Sequence, residues 1–172
     1  MQIRLFVYGS LKRGEYNWHV LRDGVVDCEP ARLQGAMYLR GDGYPALLLT
    51  PGLPLGTSDC ARDLAGGWVA PPAGDGDWVE GELLTLRSGA FWLHRLDEFE
   101  GYFPLGAAGY ARGLRGDAER PRKSEYLRVL APVLLASGKW ESVWTYTATG
   151  TPPPEWPRIP FWSRALAKEL LP

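Results

Sequence analysis

The chain has 172 residues, of which 45% are hydrophobic, 12% aromatic and 23% charged, enough for one domain to bury a core without disulfide or metal support. Lys plus Arg number 19 against 20 Asp plus Glu, a formal charge of -1, which argues against duplex nucleic acid as a partner, and the near-average composition argues against a disordered chain. The two Cys (Cys28, Cys60) and two His (His19, His94) show neither Cys-x-x-Cys nor His-Glu-x-x-His spacing, so a zinc site has no support. Ser10 and Ser124 lack a Gly-x-Ser-x-Gly context, which leaves carboxylates as the best-stocked general-base chemistry. The apolar run at 3–7 is too short for a signal peptide. The run at 129–136 is broken by Pro132 and falls short of the roughly 20 residues of a membrane helix. The sequence predicts a soluble, cytoplasmic protein with no membrane partner.

In chain order, residues 3–8 alternate and are rich in β-formers, predicting an opening strand that runs into the glycine-bracketed loop 9–14. Asn17 is placed to cap a short helix through Arg22, with Gly24 as its C-terminal cap. Residues 32–39 and 44–49 read as paired strands around the turn Arg40-Gly41-Asp42-Gly43. The Gly- and Pro-rich stretch 51–77 reads as a surface excursion. Residues 78–86 form the next clear strand.

Ser88 is then expected to cap a helix with a stripe of Phe91, Trp92, Leu96 and Phe99, ending near Glu100 because Gly101 follows. Residues 103–125 are a second irregular insertion carrying Arg112, Arg115, Arg120, Arg122 and Lys123, read as a solvated loop. Residues 126–135 and 140–147 read as a hairpin, 151–154 as a rigid extended segment, and 161–171 as a closing amphipathic helix. Together these describe one domain, 1–172, of mixed, sheet-dominated architecture with loop insertions at about 51–77 and 103–125. Both cysteines read as small buried or loop residues, and the tryptophans as core and hairpin pairs.

Two features carry chemistry. In Tyr8-Gly9-Ser10-Leu11, a strand ends in a glycine that lets the backbone turn and its N–H groups converge on an anion, although the spacing is not that of a phosphate-binding loop. In Leu96-Asp97-Glu98-Phe99-Glu100-Gly101-Tyr102, three carboxylates lie at a helix C-terminus, where the dipole raises a carboxyl pKa and makes a better proton acceptor. With Leu96 and Phe99 facing the core, Glu100 is expected to turn toward an interior cavity. Asp97 and Glu98 are expected to face water, with Glu98 pairing with His94. Glu82 reads as a structural or rim carboxylate.

Residues 6–14 resemble the opening signature of the γ-glutamylcyclotransferase-like (AIG2-like) superfamily, and 17–24 its γ-glutamylamine cyclotransferase branch. Tyr44-Pro45, residues 79–83, residues 96–102, Trp144-Thr145-Tyr146 and residues 153–156 follow in the family's order. The resemblance implies an α+β fold, a mixed barrel-like sheet with a few short helices, and neither metal nor organic cofactor. It places the catalytic acid/base on Glu100, the substrate loop on Tyr8, Gly9, Ser10 and Leu11, and a further substrate contact on Tyr146. The family's Tyr-x-Arg is offered twice, by Tyr110/Arg112 and by Tyr126/Arg128. The second is preferred because a strand-like run follows it.

The implied partner is a small γ-glutamyl compound, cyclised to 5-oxoproline with release of the amine. Glutathione, γ-glutamyl amino acids, γ-glutamyl-lysine and γ-glutamyl caps on antibiotic intermediates all stay open. Two alternatives stand beside this reading: a non-catalytic binding module that senses a small acidic ligand, and an enzyme using the same base on another amide. A retained buried carboxylate weighs against the first of these.

Overall fold

The computed structural model describes residues 1–104 and 124–171. Five strands close a barrel in the order β1, β5, β2, β6, β7. These are β1 (Ile3–Val7), β2 (Val25–Gln34), β5 (Trp78–Leu86), β6 (Tyr126–Leu135) and β7 (Trp140–Ala148). All neighbours are antiparallel except β1 and β7, whose parallel contact at Leu5 and Trp144 closes the ring. Thr145 reinforces that seam by donating its buried hydroxyl to Phe6 O at 3.0 Å. A separate hairpin, β3 (Ala36–Leu39) and β4 (Pro45–Leu48), pairs Met37 with Leu47. The returning C-terminal segment lies along it through Leu39 N to Pro157 O and Ile159 N to Met37 O. Three short helices complete the fold: α1 (Cys60–Asp63), α2 (Gly89–Phe99) and α3 (Arg164–Leu170). This is the mixed α+β barrel expected.

Strand alternation divides the core. Leu5, Val7, Leu84 and Leu86 pack with Leu93 and Leu96 of α2, while Phe6, Leu83 and Leu33 pack with Met37, Leu39 and Trp162 of the hairpin and C-terminal segment. Fully burying each such leucine is worth on the order of 1.5–3 kcal/mol.

Several local expectations change. The strand β2 begins at Val25, well before Arg32. Its first half is exposed or only half-buried, bulged between Val25 and Asp27, and is followed by Pro30. It is hydrogen-bonded along β5, whereas its recorded pairing to β6 is confined to Ala31 and Arg32, and a proline is tolerated where a strand side has no partner. Asn17 caps nothing by its side chain; single 3-10 turns cover Trp18–Val20 and Arg22–Gly24. Gly24 is needed for proximity instead, since a Cβ there would stand 2.1 Å from the indole nitrogen of Trp92.

Ser88 does precede α2, but in a left-handed conformation (φ 52°) and without a side-chain cap. The buried face of α2 is Trp92, Leu93, Leu96 and Asp97, with Phe91 and Phe99 exposed. The closing helix is shorter than expected and is capped by Ser163, whose hydroxyl accepts from Leu166 N–H. The arginine-rich stretch and most of the second insertion lie outside the described residues.

The 51–77 segment is only partly a surface excursion. Leu55 bridges to Val129, Gly56 N donates to Arg128 O, and Leu130 N donates to Pro54 O. These contacts lay the segment on β6 and carry Cys60 and Asp63 of α1 into the interior.

Substituting Gly24→Ala is expected to destabilise the protein by about 1–3 kcal/mol through overpacking against Trp92. Gly41→Ala, where a Cβ meets nothing within 4 Å, should stay within about 0.5 kcal/mol of the parent. Urea denaturation of the two variants checks the contrast.

Candidate active site

A cavity of about 390 Å³ opens where the end of β1, the β3–β4 turn, the C-terminus of α2 and the starts of the loop 9–17 and of β6 converge. It gathers every residue singled out for chemistry: Tyr8, Gly9, Ser10, Leu11, Glu100 and Tyr146 all line it. Residues scattered over 139 positions thus share one wall because the barrel brings β1 beside β7.

The loop after β1 is a compact turn. Lys12 N–H returns to Gly9 O at 3.0 Å, Asn17 N–H to Ser10 O at 2.9 Å, and the Asn17 amide donates to Ser10 Oγ at 2.8 Å. Asn17, expected as a helix cap, therefore braces this loop. Gly9 is required by proximity, because a Cβ there would meet Pro45 at 2.6 Å. Tyr8 donates its hydroxyl to Tyr146 O at 2.9 Å, and burial holds its phenol well above the ordinary value. Glu82 is not among the lining residues; it accepts from Arg13 N–H at 2.8 Å in a structural role.

Glu100 is the C-terminal cap residue of α2, its N–H donating to Leu96 O at 2.8 Å, and Gly101 reverses the chain with φ 64°. Its direction follows from helical spacing: Leu93, Leu96, Asp97 and Glu100 stand at i, i+3, i+4 and i+7, one continuous face. It points inward with Leu93 and Leu96, not because of Phe99, which lies at the cavity mouth. The carboxyl is raised from the ordinary 4.5 to about 7, first by burial and then by the neighbouring charge of Glu125, against the opposing pull of Arg40. Desolvation is thus the main cause, where the sequence pointed to the helix dipole.

Arg40 and Asp42, in the hairpin turn, are site residues that sequence reasoning missed. Arg40 Nη1 donates to Tyr126 Oη at 3.0 Å and Nη2 pairs with Asp42 at 2.7 Å, while Tyr126 donates onward to Pro45 O at 3.1 Å. A turn of Arg-Gly-Asp-Gly looks solvated in sequence, and only the docking of the hairpin onto the barrel turns it toward Glu100.

Beneath the cavity floor lies a buried ionic cluster. Arg128 shares one face of β6 with Tyr126 and Leu130 and is wholly inaccessible, as are Asp97 (1%) and nearly so Asp63 (7%). Arg128 Nη2 donates to Asp63 Oδ2 and to Thr57 O, both at 2.8 Å. Its Nε lies 3.0 Å from Asp97 Oδ1 as an ion pair outside hydrogen-bond alignment. Nη1 has no hydrogen-bond partner among the described residues. The guanidinium sits 5.0 Å from the Trp144 ring centroid.

Asp97 Oδ1 also accepts from Tyr146 Oη at 2.8 Å, linking the cluster to the cavity wall. Burial raises the Asp97 carboxyl to about 6, with Arg128 and the Tyr146 hydroxyl opposing. Asp97 was expected to face water, and the i+4 spacing from Leu93 was the available signal that it does not. Glu98 does pair with His94, at 3.7 Å. Cys60 is buried against the cluster and burial raises its thiol. Of the two Tyr-x-Arg candidates, Tyr126/Arg128 falls at the cavity and its floor, while Tyr110/Arg112 lies outside the described residues. Among the described residues, no group of three or more His, Cys, Asp or Glu is arranged to hold a metal ion, and no helix is long and apolar enough to cross a membrane.

The site lies on a closed five-stranded barrel, with a carboxylate at the end of the helix packed against it. The sequence pattern of the family described as gamma-glutamyl cyclotransferase, AIG2-like matches residues 5–56 and 60–163, and the chain belongs to that family. It is 32% identical over 102 residues to a gamma-L-glutamyl-butirosin B gamma-glutamyl cyclotransferase of Niallia circulans. The match covers 59% of this chain and 48% of that one, so the chain spans about half the length of this curated relative. Among solved structures it is similar to an AIG2-like protein of Mus musculus (22% identity, 94% of this chain and 88% of that one, TM-score 0.57). It is also similar to a protein of Arabidopsis thaliana (20% identity, 98% and 82%, TM-score 0.52). The two structural likenesses speak to the fold.

Removing the cation under the floor leaves two buried carboxylates without compensation, so Arg128→Ala is expected to destabilise by about 3–5 kcal/mol. The double variant Asp97→Asn/Arg128→Met should be less destabilised than the sum of its two single changes, because each removes a charge that the other strands. A double-mutant cycle by denaturation measures both.

Proposed function

We propose that this protein is a γ-glutamyl cyclotransferase that closes the γ-glutamyl group of a γ-glutamyl amine into 5-oxoproline and releases the amine, with Glu100 as the general acid/base. The observation that carries the reading is the Glu100 carboxyl itself: it lines a cavity beside the turn at 8–11 in a chain of this family, with its pKa at about 7. An ordinary carboxyl is too weak a base for an ammonium group. One lifted to about 7 is still about half ionised at neutral pH and is a stronger acceptor.

In this mechanism Glu100 takes a proton from the α-ammonium. The freed amine attacks its own γ-carbonyl carbon, forming the five-membered ring, and the carbon–nitrogen bond to the leaving amine breaks as Glu100 returns the proton to that nitrogen. The reaction needs a folded-back substrate more than a strong nucleophile, and holding reacting groups together gives effective molarities on the order of 10⁵ M or more. Tyr8 and Tyr146 supply rigid walls for this, tied to each other and to Asp97. Lys12 N–H is committed to Gly9 O and Arg13 N–H to Glu82. This leaves the amides of Gly9, Ser10 and Leu11 as the loop's donors to the glutamyl end or the developing oxyanion. The resemblance of residues 17–24 to the γ-glutamylamine branch supports an amine as the leaving group, and the Niallia relative is a cyclotransferase of γ-L-glutamyl-butirosin B.

Glu100→Gln is expected to lower turnover by at least about 10²–10⁴-fold, the range for loss of a positioned acid/base. Mass spectrometry of 5-oxoproline released from γ-glutamyl amines and glutathione reads the loss. Wild-type release is what a binding module would fail to give, and 5-oxoproline is what an amidase acting by hydrolysis would fail to give.

Because the base must be ionised, wild-type kcat/KM should fall as the pH is lowered through about 7. The stability linkage has the opposite consequence. Folding lifts this carboxyl from 4.5 to about 7, so the folded state holds the proton more tightly, and stability is lost as the pH rises through that interval. Glu100→Gln, which never ionises, should therefore melt higher than wild type at about pH 8, with the gap closing as the pH approaches the ordinary carboxyl value. Thermal melts at several pH values check the sign.

A further inference from the structure

Among the described residues, the charges lining the cavity do not balance. Arg40 is the cation among the described lining residues, and it is spoken for by Asp42 at 2.7 Å. That leaves two lining carboxylates, Glu100 and Glu125. Glu100 has a role in the chemistry above. Glu125 does not. It is exposed just before β6, and its carboxylate has no ion pair or hydrogen bond among the described residues. Its backbone is tied down, with Thr149 Oγ1 donating to its carbonyl at 3.4 Å. Its Cβ and Cγ stand 3.9 Å from the point where a Cβ on Gly101 would be, immediately beside Glu100.

A second, independent feature marks the same mouth. Phe99 (43% exposed) and Tyr44 (40% exposed) are among the largest apolar side chains left in water, and both line this cavity. Phe99 is on the side of α2 that the core does not cover. Two exposed aromatic rings lining the same cavity as a carboxylate without an ion pair among the described residues suit an alkyl chain ending in an ammonium group, which ring faces and carboxylate both attract. The same arrangement repels a leaving group that ends in a carboxylate, such as an amino acid or a peptide terminus.

Resting on the γ-glutamyl reading above, we propose that Glu125 is a specificity-determining residue that selects γ-glutamyl amides whose leaving amine carries a further positive charge. With the γ-glutamyl end at Tyr8 to Leu11 and its α-amine at Glu100, the leaving amine projects past Glu100 toward the mouth, where Glu125 stands. The charge on Glu125 has no use for a neutral amine and opposes an anionic one.

Three γ-glutamyl amides of matched length separate these cases: those of 1,4-diaminobutane (cationic end), pentylamine (neutral end) and 5-aminopentanoate (anionic end). Calorimetric binding to the Glu100→Gln protein reads recognition without turnover, and wild-type kcat/KM reads the same ranking with it. The cationic amide is expected to exceed the neutral one by roughly five- to tenfold and the neutral to exceed the anionic by a similar factor, the worth of a part-exposed charge pair. Both ratios should shrink with added salt. Adding Glu125→Gln should bring the ratios close to one, and Glu125→Lys should reverse their order. Each ratio is taken within one variant, so a general loss of activity does not disturb it.

Equal handling of the cationic and neutral amides, or a cationic preference that survives Glu125→Gln, overturns the assignment of Glu125 while release of 5-oxoproline leaves the cyclotransferase reading standing. Failure of all three amides both to bind and to react overturns the γ-glutamyl reading and this assignment with it.

Discussion

The buried guanidinium of Arg128 is the constraint on which the site depends. It stands between Asp63 from the 51–77 segment and Asp97 from α2, so one side chain of β6 binds together three parts of the chain that are distant in sequence. Burying such a group without partners would be prohibitive, and burying it with them does not by itself stabilise the fold more than apolar packing. What the arrangement supplies is uniqueness of placement. Asp97 shares a helical face with Glu100, so fixing Asp97 against β6 fixes where the helix ends and which way Glu100 points. The Tyr146 hydroxyl, bonded to the same carboxylate, sets the opposite wall of the cavity.

Above this floor the cavity follows a different electrostatic rule. Floor carboxylates face a full cation at close range, whereas Glu100 meets Arg40 only at a distance, because Arg40 spends its donors on Asp42 and Tyr126. Desolvation therefore prevails at Glu100 and lifts its carboxyl into the neutral range. Were Arg40 released from Asp42 to pair with Glu100, the carboxylate would be stabilised as an ordinary anion. The self-neutralised Arg40–Asp42 pair keeps the cation nearby without giving it to Glu100. Glu125 pushes the Glu100 carboxyl in the same direction as burial.

Much of this was legible in the sequence where local signals and tertiary demands agree. The strand at 78–86, the hairpin of β6 and β7, and the end of α2 at Gly101 lie where alternation, turn chemistry and the need for positive φ put them. Glu100 lies on the cavity with a raised carboxyl, as the helix-end argument expected, but the physical cause differs: the argument invoked the helix dipole, whereas burial raises the pKa. Asp97 was misplaced because a carboxylate within an acidic run reads as solvated, and only a buried arginine 31 positions later in sequence reverses that reading. Likewise, β2 hides behind Pro30 and a solvent-facing first half that a strand with one hydrogen-bonded side can accept.

The sequence by itself determined most of the elements and the family, and pointed to Glu100, because those rest on periodicity, turn residues and a motif order that need no partner to be recognised. It also held the ingredients of the floor, an arginine within an apolar strand and a carboxylate on an apolar helix face. Only the tertiary structure decided that these two meet, that the Gly- and Pro-rich 51–77 segment delivers Asp63 to them, and that the Arg40 turn folds over the cavity. The reason is physical: an isolated charge is read by its sequence neighbours as solvated, and whether it is buried depends on a compensating charge that arrives through chain closure of the barrel.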